Sequence, residues 1–73
     1  MFAVQLGDGL AHKVGDKMTM CHRTVEGGDP VRKREWDTLM ARYSAKFPNM
    51  EALEELPLCL ACAPRDYRRW STT

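Results

Sequence analysis

The sequence predicts a small α+β domain stapled by one metal ion, and three observations predict it. Apolar and polar residues alternate near the N-terminus, an apolar stripe at helical spacing runs from Trp36 to Phe47, and His12, Cys21, Cys59 and Cys62 flank that stripe on both sides. At 73 residues a single core rarely supplies more than about 3–5 kcal/mol without a staple. Three cysteines cannot all pair as disulfides, and a structural zinc ion brings about 10–16 kcal/mol of apparent binding free energy. Metal is therefore the better expectation. Cys59-Leu60-Ala61-Cys62 is the tightest spacing at which one turn aims two thiolates at a common point. Zn2+ then needs two more nitrogen or sulfur ligands, which His12 and Cys21 can supply.

Phe2, Val4 and Leu6 alternate with small or polar residues ahead of Gly7-Asp8-Gly9, which reads as a short strand and a turn. Segments 10–14 and 19–25 read as the arms of a hairpin around Gly15-Asp16-Lys17-Met18. If Val14 faces Thr19 across a four-residue loop, His12 falls opposite Cys21 and both side chains project from one face. A two-residue turn at Gly15-Asp16 would pair His12 with Thr19 instead and spoil that facing. Glu26-Gly27-Gly28 ends the strand, and Asp29-Pro30 signals a helix start, with Asp29 accepting from free N–H groups and Pro30 giving up no hydrogen bond. Trp36, Leu39, Met40, Tyr43 and Phe47 then share one face of an amphipathic helix that ends near Phe47-Pro48. About 17 residues at ~1.5 Å each make a rod of roughly 25 Å. Asn49 caps a second, shorter helix in which Met50, Leu53 and Leu56 share a face, and Pro57 stops it. Residues 64–70 read as one or two further helical turns before a frayed end at 71–73.

This organisation is one domain, 1–73, in three pieces: a strand-and-hairpin half-site (1–28), a helical insert (29–57), and the knuckle with a basic, aromatic tail (58–73). Eleven Lys and Arg oppose ten Asp and Glu, a net charge of +1, and three thiolates around a dication would bring it to neutrality. Global charge thus names no polyanionic partner. The N-terminal residues lack the basic and apolar regions of a signal peptide, and no segment approaches the ~20 apolar residues that span a membrane. A cytoplasmic location is expected, where reducing conditions favour thiolate–metal bonding over disulfides.

Other readings of the same residues exist. Cys59 and Cys62 can pack as small hydrophobes, whereas a thioredoxin-type pair lacks its βαβ context, and a haem-attachment motif would need His at 63, where Ala stands. His22 rivals His12, but adjacent residues on a strand point to opposite faces. Cys21 and His22 would therefore reach one ion only if a knuckle distorted the backbone.

Taken together, His12-Lys13-Val14, Thr19-Met20-Cys21-His22-Arg23 and Cys59-Leu60-Ala61-Cys62 resemble the small zinc-finger proteins of actinobacteria and their phages. In those, a hairpin carries a His and then a Thr-x-Cys-Gly-Arg-like stretch, followed by a late Cys-x-x-Cys. The match covers only the two ligand-bearing pieces. His22 stands where Gly is usual, which keeps it in view as a ligand, and the stretch between Cys21 and Cys59 is longer than a minimal zinc ribbon needs. The resemblance implies a metal site and no particular activity.

A catalytic zinc keeps one position open and has an acid or base beside it. Three thiolates and one imidazole close the tetrahedron, and Lys13-Val14 after His12 excludes the His-x-Glu signature of zinc deaminases. No enzymatic activity and no small-molecule substrate are expected. Two surfaces are candidates for binding. Arg32-Lys33-Arg34 places cations at a helix start, where the macrodipole disfavours them; either Asp29, Glu35 and Asp37 neutralise them or they form an anion site. In the tail, Arg65, Tyr67, Arg68, Arg69 and Trp70 interleave cations with aromatics, which suits base stacking beside phosphate and protein hot spots alike. The bland alternative folds both aromatics back over the knuckle. The expected function is a non-enzymatic, zinc-stabilised binding module, a protein-interaction regulator of a larger host or cellular machine. DNA or RNA binding through the basic patches is the alternative.

Overall fold

Gly7-Asp8-Gly9 reverses the chain as its composition requires: Gly9 takes φ +78 and its N–H donates to the Leu6 carbonyl at 3.0 Å. The structure, a computed structural model, describes the backbone of residues 1–71 and the side chains of 1–69. The role expected of the Trp70 side chain and residues 72–73 of the expected frayed end lie outside the described residues, whereas Ser71, expected to fray, is helical. The turn joins β1 (Ala3–Gln5) to β2 (Ala11–Lys13), so the principal hairpin lies one element earlier than the sequence suggests. A third strand, β3 (Asp29–Val31), pairs with the other edge of β1, and the antiparallel sheet runs β2-β1-β3 with Val4 between His12 and Pro30.

β3 corrects the expected helix start. Asp29 and Pro30 face Gln5 and Val4 in the sheet rather than opening a helix. Pairing both edges of β1 satisfies more backbone than a local cap would, and an edge strand tolerates a proline that has no N–H to offer. Gly28, just before β3, allows this approach. A Cβ there would run into the Val4 Cγ2 methyl and lie 3.0 Å from Leu6 Cδ2.

The loop after β2 keeps the register that brings His12 and Cys21 together. Val14 bridges Thr19, and Met20 N–H donates to the Lys13 carbonyl at 2.8 Å. Residues 19–25, however, form no strand; apart from the Val14–Thr19 and Met18–Thr24 bridges, this stretch is turns.

Helix α1 (Lys33–Lys46) starts after Arg32, whose extended backbone serves as the N-cap and whose carbonyl accepts from Trp36 N–H at 3.0 Å. Trp36, Met40 and Tyr43 are buried as the stripe predicts. Phe47 is not, because the helix stops at Lys46 and the extended backbone at Phe47 swings its ring out of register, leaving it 53% exposed. Asn49 Oδ1 caps α2 (Met50–Glu54) by accepting from Ala52 N–H. Leu53 and Leu56 are buried, but Met50, in the first turn, is 56% exposed.

Helix α3 (Cys62–Ser71) begins inside the Cys-x-x-Cys motif and is longer than the two turns expected. It is locked to α1 through Trp36, whose indole N–H donates at 2.7 Å to the fully buried Asp66 carboxylate; Arg69 donates to the other Asp66 oxygen. Among the described residues no helix is long and apolar enough to cross a membrane.

Close packing at Gly28 generates a prediction. Gly28→Ala should lower unfolding stability in denaturant by about 1–3 kcal/mol through overpacking. Gly7→Ala, where nothing lies within 4 Å, should leave stability nearly unchanged.

Candidate metal centre

Three short pieces of backbone deliver four donors to one point. The first donor comes from β2: His12 is buried, and its Nδ1 faces inward. Cys21 sits in a tight turn that Thr19 closes. Thr19 N–H donates to the Arg23 carbonyl, Arg23 N–H donates to Thr19 Oγ1, and His22 N–H donates to the Thr19 carbonyl, all at 2.9 Å. His22 completes the turn at φ +67, the left-handed region that glycine occupies without strain. With the Arg23 N–H occupying an acceptor site on Thr19 Oγ1, its hydroxyl proton is available to the Cys21 sulfur 3.2 Å away.

The last two donors arrive along the edge of β2. Ala11 N–H donates to the Pro57 carbonyl at 3.0 Å and Cys59 N–H donates to the Ala11 carbonyl at 2.9 Å, which makes residues around Leu58 a parallel extension of the sheet. Cys59 is thereby placed beside the strand that carries His12. One turn later Cys62 opens α3, with Ala63 N–H donating to the Cys59 carbonyl at 2.9 Å.

The outcome is a cluster of His12, Cys21, Cys59 and Cys62 whose donor atoms all lie within 4.8 Å of one another, close enough to hold a metal ion, with all three cysteines free of disulfides. His12 Nδ1 lies 3.4 Å from Cys21 Sγ and 3.8 Å from Cys62 Sγ. His22 is outside the cluster and exposed; its Nε2 lies 3.4 Å from the Arg65 guanidinium.

Electrostatics fit a cation. Burial opposes ionisation of Cys21, but contacts with Thr19, His12 and the other two thiols outweigh it and draw the group down to about 7. Cys62 goes the other way, pushed up to about 12 by burial, reinforced by Cys21 and Cys59 and partly offset by the Lys13 backbone N–H. Cys21 ionises readily whereas Cys62 is held protonated, because a second thiolate would be crowded against the first in a low-dielectric interior. A bound dication removes that penalty, and its affinity must fall as pH drops and the thiols keep their protons.

Asp8, which sequence reading passed over, completes the site. His12 Nε2 lies 3.0 and 3.2 Å from the two Asp8 oxygens, so its N–H donates there and Nδ1 is left free as a ligand. Leu10 N–H and the Arg23 guanidinium donate to the same carboxylate at 3.0 and 2.7 Å. The Leu10 N–H bond foremost, then His12 and Arg23, hold its pKa below the usual carboxylate range against a burial effect of opposite sign. A carboxylate four residues before a ligand histidine, in a glycine-flanked turn, was the signal available in the sequence.

The residues proposed from sequence for partner contact scatter among different tasks. Arg65 donates to the Met20 carbonyl at 2.8 Å, bracing the Cys21 turn against α3. Arg69 reaches Asp66. Tyr67 packs on Tyr43 and Phe47 with ring centroids 5.7 and 6.3 Å away. Lys33 pairs with Asp37 at 2.8 Å, while Arg32, Arg34 and Arg68 are exposed. Compared with protein-family models, curated proteins and solved structures, the chain matches none.

The role of Asp8 can be checked directly. Asp8→Ala should weaken metal affinity about 10- to 100-fold, the usual cost of losing a partner that orients a ligand, as read by competition with a chromophoric chelator. Asp8→Asn, which retains an acceptor for the His12 N–H, should lose less.

Proposed function

We propose that the ion is one structural Zn2+ and that the chain is a non-enzymatic binding module whose target is another protein. Ligand chemistry supports zinc. Zn–S bonds of ~2.3 Å and Zn–N bonds of ~2.0–2.1 Å at tetrahedral angles put nitrogen and sulfur ~3.5 Å apart, and the two His12-to-cysteine distances of 3.4 and 3.8 Å bracket that value. Three sulfurs and one nitrogen fill the coordination sphere, which supports a structural role and leaves no position for a reacting water.

The observation that carries the binding reading is the exposure of Phe47 and Met50. Patterning assigns both to a buried face, yet both lie more than half exposed at neighbouring ends of α1 and α2. In so small a protein an aromatic and a thioether left in water near one turn suggest an interaction surface. The basic residues support the nucleic-acid alternative less well, because Arg65 and Arg69 both make bonds within the fold. A regulator that docks on a larger assembly in a reducing cytoplasm is the function most consistent with these features.

Native mass spectrometry should find one zinc per chain, and Cys62→Ser should lose both the ion and cooperative unfolding; a well-folded, metal-free wild-type chain would refute the proposal. The immobilised zinc-loaded chain should also retain a protein from an extract of its source cells that the chelator-stripped chain does not. Retention that vanishes with nuclease and falls steeply with salt would instead be the signature of phosphate contacts.

A further inference from the structure

We infer that the surface formed by Phe47, Met50 and the acidic face of α2 docks a basic amphipathic helix of the partner. The inference rests on the protein-binding reading above and adds the chemistry of what is bound. Three observations lead to it.

Phe47 is pre-organised. Its ring stands 6.3 Å from Tyr67 at an interplanar angle of 22° and 5.8 Å from Tyr43, and Tyr67 itself lies with its hydroxyl 3.4 Å from Ser44 Oγ. The ring is thus supported from below by two other rings while 53% of the residue remains in solvent. An aromatic held in place before binding loses little entropy when it becomes an anchor. Met50, a few residues on, is unbranched and adapts to an irregular partner surface.

Charge then selects the partner. Glu51, Glu54 and Glu55 are all exposed, and no Lys or Arg occurs between Phe47 and Pro64. Lys46 precedes Phe47 on the last turn of α1, Arg68 follows Tyr67 on α3, and Arg42 lines a groove together with Pro57, so cations border the patch while its exposed α2 face carries only the glutamates. A second copy of this chain would bring two sets of glutamates together across a two-fold axis, and an anionic lipid surface would be repelled by them. A partner carrying an apolar stripe between Lys or Arg residues satisfies both halves of the surface.

Geometry favours a helix as the docking element. The patch lies where α1 passes into α2, with Tyr67 of α3 beneath Phe47, and apolar helix faces pack together by ridges and grooves. The free edge of the sheet is at β3, on different residues, and Pro30 blunts it for strand addition.

The test uses the zinc-loaded full chain and a synthetic amphipathic leucine–lysine helix as probe, followed by amide NMR titration. Shift changes should concentrate at residues 43–56 and around Tyr67. Phe47→Ser and, separately, Met50→Gln should weaken binding by about tenfold or more, as for a hot-spot residue, with zinc content and the remaining spectrum unchanged. Glu51→Gln, Glu54→Gln and Glu55→Gln combined should weaken it while leaving the apolar contact. A leucine–glutamate helix that binds equally well, shifts spread over the whole surface, or concentration-dependent self-association through Phe47 would each overturn the inference. A cellular protein retained by the zinc-loaded chain, and retained equally by the Phe47→Ser chain, would refute this docking surface while the protein-binding reading stood.

Discussion

Three thiols and an imidazole lie within 4.8 Å of one another, close enough to hold a metal ion, and the polar contacts of the fold converge on this cluster. Without a dication, ionisation of Cys62 is opposed by burial and by Cys21 and Cys59 beside it. With one, the donors are held from β2, from the Cys21 turn and from the start of α3, segments that no continuous secondary structure joins. Binding free energies of about 10–16 kcal/mol at such sites match the whole net stability of a typical domain, about 5–15 kcal/mol. On the zinc reading proposed above, metal binding and folding would be a single equilibrium.

The polar groups around the cluster convert that local demand into long-range order. Asp8 fixes the imidazole and, through Arg23, ties the first turn of the chain to the end of the Cys21 turn. Arg65 ties the same turn to α3. From α3 the order passes to α1 through the buried Asp66, which Trp36 and Arg69 both engage. A buried carboxylate is costly unless its acceptors are met, so this contact fixes how the two helices sit. Lys13 completes the interior, its ammonium donating to the Val14 carbonyl at 2.8 Å and lying 4.1 Å from the centre of the Phe2 ring.

This arrangement divides the chain by task. Arg65 and Arg69, two of the basic residues that looked suited to a partner, serve the fold, whereas two apolar residues that looked suited to the core are in solvent. The α1–α2 junction carries no metal ligand, yet α3, which starts at a ligand, carries the Tyr67 ring against which Phe47 is stacked. The His/Cys cluster and this surface are thus joined through α3, though the surface carries none of its donors.

The sequence by itself left open whether His12 or His22 supplies the imidazole and whether Val14 faces Thr19, but it determined the cysteine donors, the buried stripe of Trp36, Met40 and Tyr43, and the Asn49 cap. Each is a short-range matter of spacing, periodicity or a side chain reaching its own backbone, which a linear pattern encodes. Only the tertiary structure decided the rest. Asp29-Pro30 became a strand because β1 had a second edge to satisfy, a need that no local signal at position 29 reveals. Asp8 became the support of His12 because the turn between them folds back on itself. The fates of Arg69, Phe47 and Met50 were settled by which helix faces met: Asp66 engaged the guanidinium of the exposed Arg69, and the end of α1 at Lys46 turned the next residue out. Periodicity assigns a residue to a face, but a face is buried only where another element arrives to cover it.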